Sequence, residues 1–490
     1  MKKRNIFALM MAIALSLSAF VACDTDGEVE TKDGLGTTEA RTEEVTTEAI
    51  PEHISKKDYG TEFYLSILKD VNPLSYYWVE ESENDAMSEA VFARQEKVRE
   101  YLGVEIFGSD AGSHTTYVAP FKTAVKNKDG SVDTLLTHVC TGISGLIGES
   151  YLRDLNKLEG LNLDADYWNA DFMESIAIGD KIFLGFSDYN ILYTHVVAFN
   201  KDMLDKYDDA LDASLYDMVR NYTWTLDEMI SLANLVYIDA TSDGKTSDDT
   251  FGLTGTQWVP WMGFLQSSNI QLVDKNEKGD YVVSLMNDVN KQRTSELVDK
   301  LTALVVSDCS YLDYYTSAPN TVPITSGRVL LNLASTYGIV NFLEYDLNFG
   351  VVPYPMYDEE QKDVGYRSLQ WGGYIAVPSY VTNPVMVGET LDVLAFFSDD
   401  VTITFYEKIL GKQVADVPDD SEMLSIVWDS VCTDFGQTYA DLINTQLSFF
   451  LPHVTYPESG MNLASLVRQY EVTANKAIVK YTKKVTLAND

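Results

Sequence analysis

Glu62-Phe63-Tyr64-Leu65-Ser66-Ile67-Leu68 places Phe63, Leu65 and Ile67 on one face of an extended segment, the period-two alternation of a strand with one side buried. After a polar-aromatic loop, Tyr76-Tyr77-Trp78-Val79-Glu80, the residues Met87, Ala90, Val91, Val98, Tyr101 and Leu102 recur at helical spacing. Beyond the break at Gly103, Val104-Glu105-Ile106 reads as a second short strand. Strand, helix and strand in that order make a βαβ unit, whose helix carries the chain back so that the strands run parallel.

The alternation recurs along the chain. Strands are expected at 134–139, 349–352 and 374–377, with a further extended segment at 181–186. Thr225 and Glu228 form a Thr-x-x-Glu box opening a helix with Leu226, Met229, Ile230 and Ala233 as its buried stripe. Further helices are expected at 295–306 and 462–481. The fold class is α/β. No fixed-period repeat is visible.

The composition sets limits on function. The 490 residues are 46% hydrophobic and 22% charged, which fits two or three folded domains. With 74 Asp+Glu against 36 Lys+Arg the formal charge is -38, so nucleic acid is not an expected partner. Lys2, Lys3 and Arg4 precede an apolar run from Ile6 to Leu17, the outline of a secretion signal covering 1–22. It ends in Phe20-Val21-Ala22-Cys23, which resembles a bacterial lipobox and makes Cys23 the expected lipidation site; an ordinary signal peptide is the competing reading. Residues 23–58 are then a lipidated acidic Thr/Glu-rich tether with too little apolar surface to offset its ordering entropy, and His53 is expected to be solvated. Of Cys140, Cys309 and Cys432, none forms a Cys-x-x-Cys pair; buried free thiols are expected, with a Cys309 to Cys432 bridge as the alternative.

Signatures of enzymes are missing. There is no His-Glu-x-x-His, Gly142-Ile143-Ser144-Gly145 is one residue short of a nucleophile elbow, and Gly244-Lys245-Thr246 lacks the earlier glycine of a phosphate loop. Five His leave a His-dependent base poorly supplied, while a paired-carboxylate glycosidase stays open. No catalytic residue, cofactor or metal is expected. The one calcium-loop outline, Asp239, Thr241, Asp243, Lys245 and Ser247 with Gly244 at the sixth position, ends in Thr250 where a bidentate Glu is needed, so it reads as an acidic turn.

The aromatic residues carry more information. They make up 12% of the chain, and Gln257-Trp258-Val259-Pro260-Trp261 and Gln370-Trp371-Gly372-Gly373-Tyr374 set indoles beside carboxamides in expected loops. Sugars present apolar C–H faces and hydroxyl edges, which a flat indole and a carboxamide match; packing in a core is the competing reading for each Trp. Trp224 and Trp428 are expected on helices as structural residues.

From about Tyr59 onward the chain resembles bacterial extracellular solute-binding lipoproteins, family 1, of the sugar-type ABC importers. The resemblance rests on collinear motifs: Asn84-Asp85-Ala86, Leu152-Arg153-Asp154-Leu155-Asn156, Tyr167-Trp168-Asn169, Gly179-Asp180-Lys181-Ile182-Phe183 and Phe199-Asn200-Lys201. Trp224-Thr225-Leu226-Asp227-Glu228, Phe251-Gly252-Leu253, Ser326-Gly327-Arg328, Phe349-Gly350-Val351-Val352-Pro353-Tyr354-Pro355 and Ser421-Glu422-Met423-Leu424 continue it. The stretch 411–420 departs from it in lacking basic character. The resemblance implies a two-lobed periplasmic-binding-protein-like fold, with 59–187 and 346–398 in lobe one, 188–345 and 399–490 in lobe two, and a ligand cleft between them. It implies a monomer on the extracellular face of the cell membrane, held there only by its lipid, that binds a small polar ligand, a sugar, and hands it to ABC permease subunits. The alternatives are a secreted glycan-active hydrolase and a sensor lipoprotein without transport. The expected ligand-binding residues are Tyr77, Trp78, Glu80, Asp188, Tyr189, Trp258, Trp261, Gln370 and Trp371.

Overall fold

The computed structural model describes residues 51–68, 73–139, 141–256, 258–313, 322–410 and 418–487. The signal, Cys23, most of the tether, Cys140, Gln257 and 411–417 lie outside the described residues.

In chain order the two main sheets use β1 (Thr61–Ile67), β2 (Val104–Asp110), β3 (Thr134–Thr137), β4 (His195–Asn200), β5 (Phe251–Thr256), β6 (Ser310–Asp313), β7 (Val329–Ser335), β8 (Phe349–Val352) and β9 (Tyr374–Ala376). The first sheet has the order β9-β3-β1-β2 and the second β8-β4-β7-β5-β6. The βαβ unit opens the first sheet, with β1 parallel to β2 and Phe63, Leu65 and Ile67 fully buried. Helix α1 (Ala86–Leu102) connects them. It starts at Asp85, whose carboxylate accepts from the Met87 and Ser88 amides at 3.0 and 3.2 Å, donors with no partner inside the helix. It stops at Gly103, whose φ of 62° suits a residue without Cβ.

Crossover segments join the sheets. The chain leaves the first at 185–195 and enters β4; it returns between β8 and β9. The segment 346–398, expected in lobe one, therefore begins with β8, which is hydrogen-bonded to β4 of the second sheet. At the start of 399–490, the helix Asp399–Leu410 packs on α1, with Lys97 to Asp400 at 3.0 Å. The segment 181–186 forms single bridges, Ile178 with Lys181 and Gly185 with Ile375, instead of a strand. Side chains hold it: buried Lys181 donates to the Val485 and Thr486 carbonyls at 3.2 and 3.0 Å.

The end of the tether also differs from expectation. Residues 51–58 pack on the first lobe through Tyr101 Oη to the Ile54 carbonyl at 2.5 Å and Lys57 to Glu389 at 2.7 Å. His53 is paired, its Nε2 lying 2.6 Å from the buried Asp392 carboxylate. Tyr167 and Trp168 donate to the same carboxylate at 2.7 and 3.0 Å, as a buried charge requires. Trp224 precedes its helix and is buried, donating to the Pro353 carbonyl at 3.0 Å. Cys309 and Cys432 are buried free thiols. No helix among the described residues is long and apolar enough to cross a membrane.

Candidate functional site

Strands β1, β2 and β3 run parallel, as do β5, β6 and β7, so each sheet gathers its carboxyl ends along one edge. In open α/β sheets such edges are where ligands are held. The first edge supplies His114 after β2 and His138 after β3; the second supplies Trp258 after β5 and Tyr337 after β7.

An aromatic row joins the two edges. The His114 and His138 rings stack at 5.3 Å, and His138 meets Trp371 edge-on at 5.9 Å. Trp371 meets Phe449 at 5.4 Å, and Phe449 stacks on Trp258 at 4.9 Å with 6° between planes. His453 stands edge-on to Trp258 at 6.0 Å. Burial lowers the His453 pKa, so at neutral pH its imidazole is a neutral donor and acceptor. Each ring pair lies within the span where offset and edge-on contacts are favourable.

Trp371 belongs to the crossover itself. Its amide donates to the Tyr193 carbonyl at 3.0 Å, and Thr194 bridges Gln370 in antiparallel fashion. Gly372 and Gly373 follow with φ of 91° and 78°, conformations a side chain strains. They turn the chain sharply into β9. The Gln370 carboxamide, fully buried, accepts from the Thr194 hydroxyl at 2.8 Å and donates to the Asn190 and Gly372 carbonyls at 3.2 and 3.1 Å. It is a strut of the crossover, with its hydrogen-bonding groups spent internally. His195 beside it is buried, and burial pulls its pKa down to about 4.

Of the expected residues, the structure brings Trp258 and Trp371 together through Phe449. A second group, Tyr77 and Tyr189, meets at 5.1 Å beneath Arg94, whose guanidinium lies 4.5 Å from the Tyr189 ring. All three are buried, and Tyr189 is pushed up to about 12 by that burial. Arg94 also donates to the Tyr77 carbonyl at 3.1 Å, so this group is a core hub under the crossover. Asp188, half-buried, opens the crossover turn, and its carbonyl accepts from Thr402 at 3.2 Å. Trp78 lies elsewhere. It covers the edge strand β2, donating to the Ile106 carbonyl at 2.7 Å and resting where Gly108 has no side chain. With exposed Glu80 it lines a small outer cavity of about 150 Å³. Trp261 is completely buried on helix α2 (Val259–Ser267), donating to Thr455 at 3.0 Å, which leaves no face for a ligand.

His114, His138, Phe449 and His453 were not anticipated. Phe449 sits in an apolar run that reads as core, and His138 ends an expected strand. A second interlobe contact was also not anticipated: Tyr337 stacks with Tyr193 at 5.8 Å and meets Tyr76 edge-on at 6.3 Å. The acidic turn folds on itself. Asp239 accepts from the Ser242 and Gly244 amides and Asp249 from those of Ala240 and Thr246, while Lys245 reaches the Ser307 and Ser310 carbonyls. Among the described residues no cluster of His, Cys, Asp and Glu could hold a metal.

The fold of this chain is shared with solved structures. The fold is that of ABC-importer substrate-binding proteins. The GacH receptor of Streptomyces glaucescens, solved unliganded and with acarbose, is 16% identical over 87% of this chain and 99% of its own, with a TM-score of 0.50. The substrate-binding protein Lmo0181 of Listeria monocytogenes, solved with cycloalternan, is 12% identical over 87% and 98%, with a TM-score of 0.52. No family model matches the chain, and no curated protein matches it by sequence. The aromatic row runs from His138 after β3 to Trp258 after β5, from one sheet's carboxyl edge to the other's.

Proposed function

We propose that this chain is the extracellular substrate-binding protein of an ABC importer, lipidated at Cys23, monomeric, and specific for an oligosaccharide that it delivers unaltered to permease subunits. The observation that carries the reading is the row from His138 through Trp371 and Phe449 to Trp258, which spans the carboxyl ends of both sheets. Indole and phenyl faces suit the C–H faces of sugar rings, and the neutral His453 imidazole beside Trp258 suits a hydroxyl edge. The sugars held by the GacH receptor and by Lmo0181 support the choice of ligand class. Trp258, Trp371 and His453 are assigned the contacts, the crossovers at 185–195 and 352–374 the lobe boundary, and closure of the lobes the capture step.

A thermal-shift screen of linear and cyclic α- and β-linked oligosaccharides tests this reading. A ligand at a hundred times its Kd adds about 2.7 kcal/mol to the folded state, and so raises the melting temperature. At least one oligosaccharide is expected to do so, with no turnover product by chromatography. A shift given only by peptides or other polar metabolites refutes the ligand class, and turnover refutes the binding role. Lipidation is read by labelling with a fatty-acid probe, which Cys23→Ala is expected to abolish.

A further inference from the structure

Helix α3 (Leu463–Leu487) is basic on a strongly acidic chain. It packs inward through Leu466, Val467, Ala474, Ile478 and Val485. Its opposite face exposes Arg468, Lys476, Lys480, Lys483 and Lys484. Between these cations stand Val472, Val479 and Leu487, exposed to 61%, 47% and 64%. At the helical repeat all of them fall within an arc of roughly 160°. Glu471 is the only acid in the helix and is turned toward the body at the rim of that arc. Lys476, Lys480 and Lys483 make no ion pair with any described residue.

A face of lysines interleaved with aliphatic side chains matches a bilayer interface, where ammonium groups meet phosphates and short apolar side chains reach the acyl boundary. It suits an acidic protein partner less well, since lysine is depleted at protein interfaces and arginine is the residue that pairs carboxylates bidentately. The overall charge of -38 does not prevent contact. Screening over about 8 Å at physiological salt leaves the nearest charges to dominate at the surface.

We propose that the solvent face of α3 rests on anionic phospholipid headgroups and orients the body against the membrane. The inference concerns a face away from the aromatic row and holds whatever the cleft binds. It is tested with the full chain and the full-length variant K476E/K480E/K483E, by co-sedimentation with vesicles of phosphatidylcholine alone or mixed with phosphatidylglycerol. The N-terminal segment is common to both proteins, so their difference reads α3. The parent is expected to bind the anionic vesicles at low salt at least about tenfold more tightly than the variant, and both to behave alike on neutral vesicles. An unchanged melting temperature shows the variant folded; should it fall, K476Q/K480Q/K483Q replaces it. Equal binding of parent and variant to anionic vesicles overturns the proposal. So does a salt-sensitive dimer in sedimentation velocity that the variant loses, which would assign the face to the acidic surface of a second copy.

Discussion

Trp258 and Trp261 are three residues apart, yet their replacement by Ala should have opposite signatures. Trp258 is half-buried and stacks on Phe449, a contact of about 0.5–1.5 kcal/mol beyond its area, so with the lost area Trp258→Ala is expected to lower stability by about 1–3 kcal/mol. As an aromatic anchor in a cleft it should contribute about 2 kcal/mol to ligand binding, which weakens Kd about thirtyfold when lost. Trp261 is fully enclosed and donates to Thr455, whose hydroxyl also donates to the Leu451 carbonyl at 2.7 Å, so Trp261→Ala leaves a cavity and one lost hydrogen bond and should cost about 3–5 kcal/mol of stability. Its effect on Kd at a temperature where it stays folded should be within about twofold. Urea denaturation gives the first quantity, and titration calorimetry with the tightest oligosaccharide of the thermal-shift panel gives the second. A Trp258→Ala protein that stays folded and binds that sugar as tightly as the parent would refute the assignment of the row to the ligand.

The crossover strut offers a second test: Gln370→Ala strands the Thr194 hydroxyl and two carbonyls, and should lower stability by about 1–3 kcal/mol in urea denaturation. Asp434, buried and accepting from the Leu272 amide at 2.8 Å, is pushed up to about 6 by burial, against about 3.9 unfolded. Between these values the folded state binds more protons, so stability falls as pH rises through the window. The stability of the parent minus that of Asp434→Asn should drop by roughly 2 kcal/mol from pH 4 to pH 7, and a flat difference contradicts the raised pKa. Millimolar calcium or a chelator should leave the melting temperature unchanged, because the Asp239 and Asp249 carboxylates of the 239–250 turn accept from backbone amides and Thr250 supplies no carboxylate.

The first sheet was readable because local signals coincided: alternation in β1, the Asp85 cap and the Gly103 stop each point to the same boundary. The extended segment expected at 181–186 joins no ladder, because single bridges and a buried lysine hold it there. His53 was taken as solvated because nothing near it in sequence announces Asp392, more than three hundred positions away. In the candidate site, Trp258 and Trp371 were visible as indoles in loops beside carboxamides. Trp261 shared that pattern, but Pro260 in the first turn starts a helix that is apolar all round and turns this indole inward. Phe449 and the histidines gain their place only from the meeting of distant segments, which no local window contains.

Trp371, Gly372 and Gly373 are consecutive, so an indole of the aromatic row and the positive-φ turn into β9 share three residues of backbone. If the lobes close as proposed, pressure on the indole is torque on that turn. Adding a methyl group at Gly372 or Gly373 would therefore stiffen the axle and dull the touch of the ring in the same stroke.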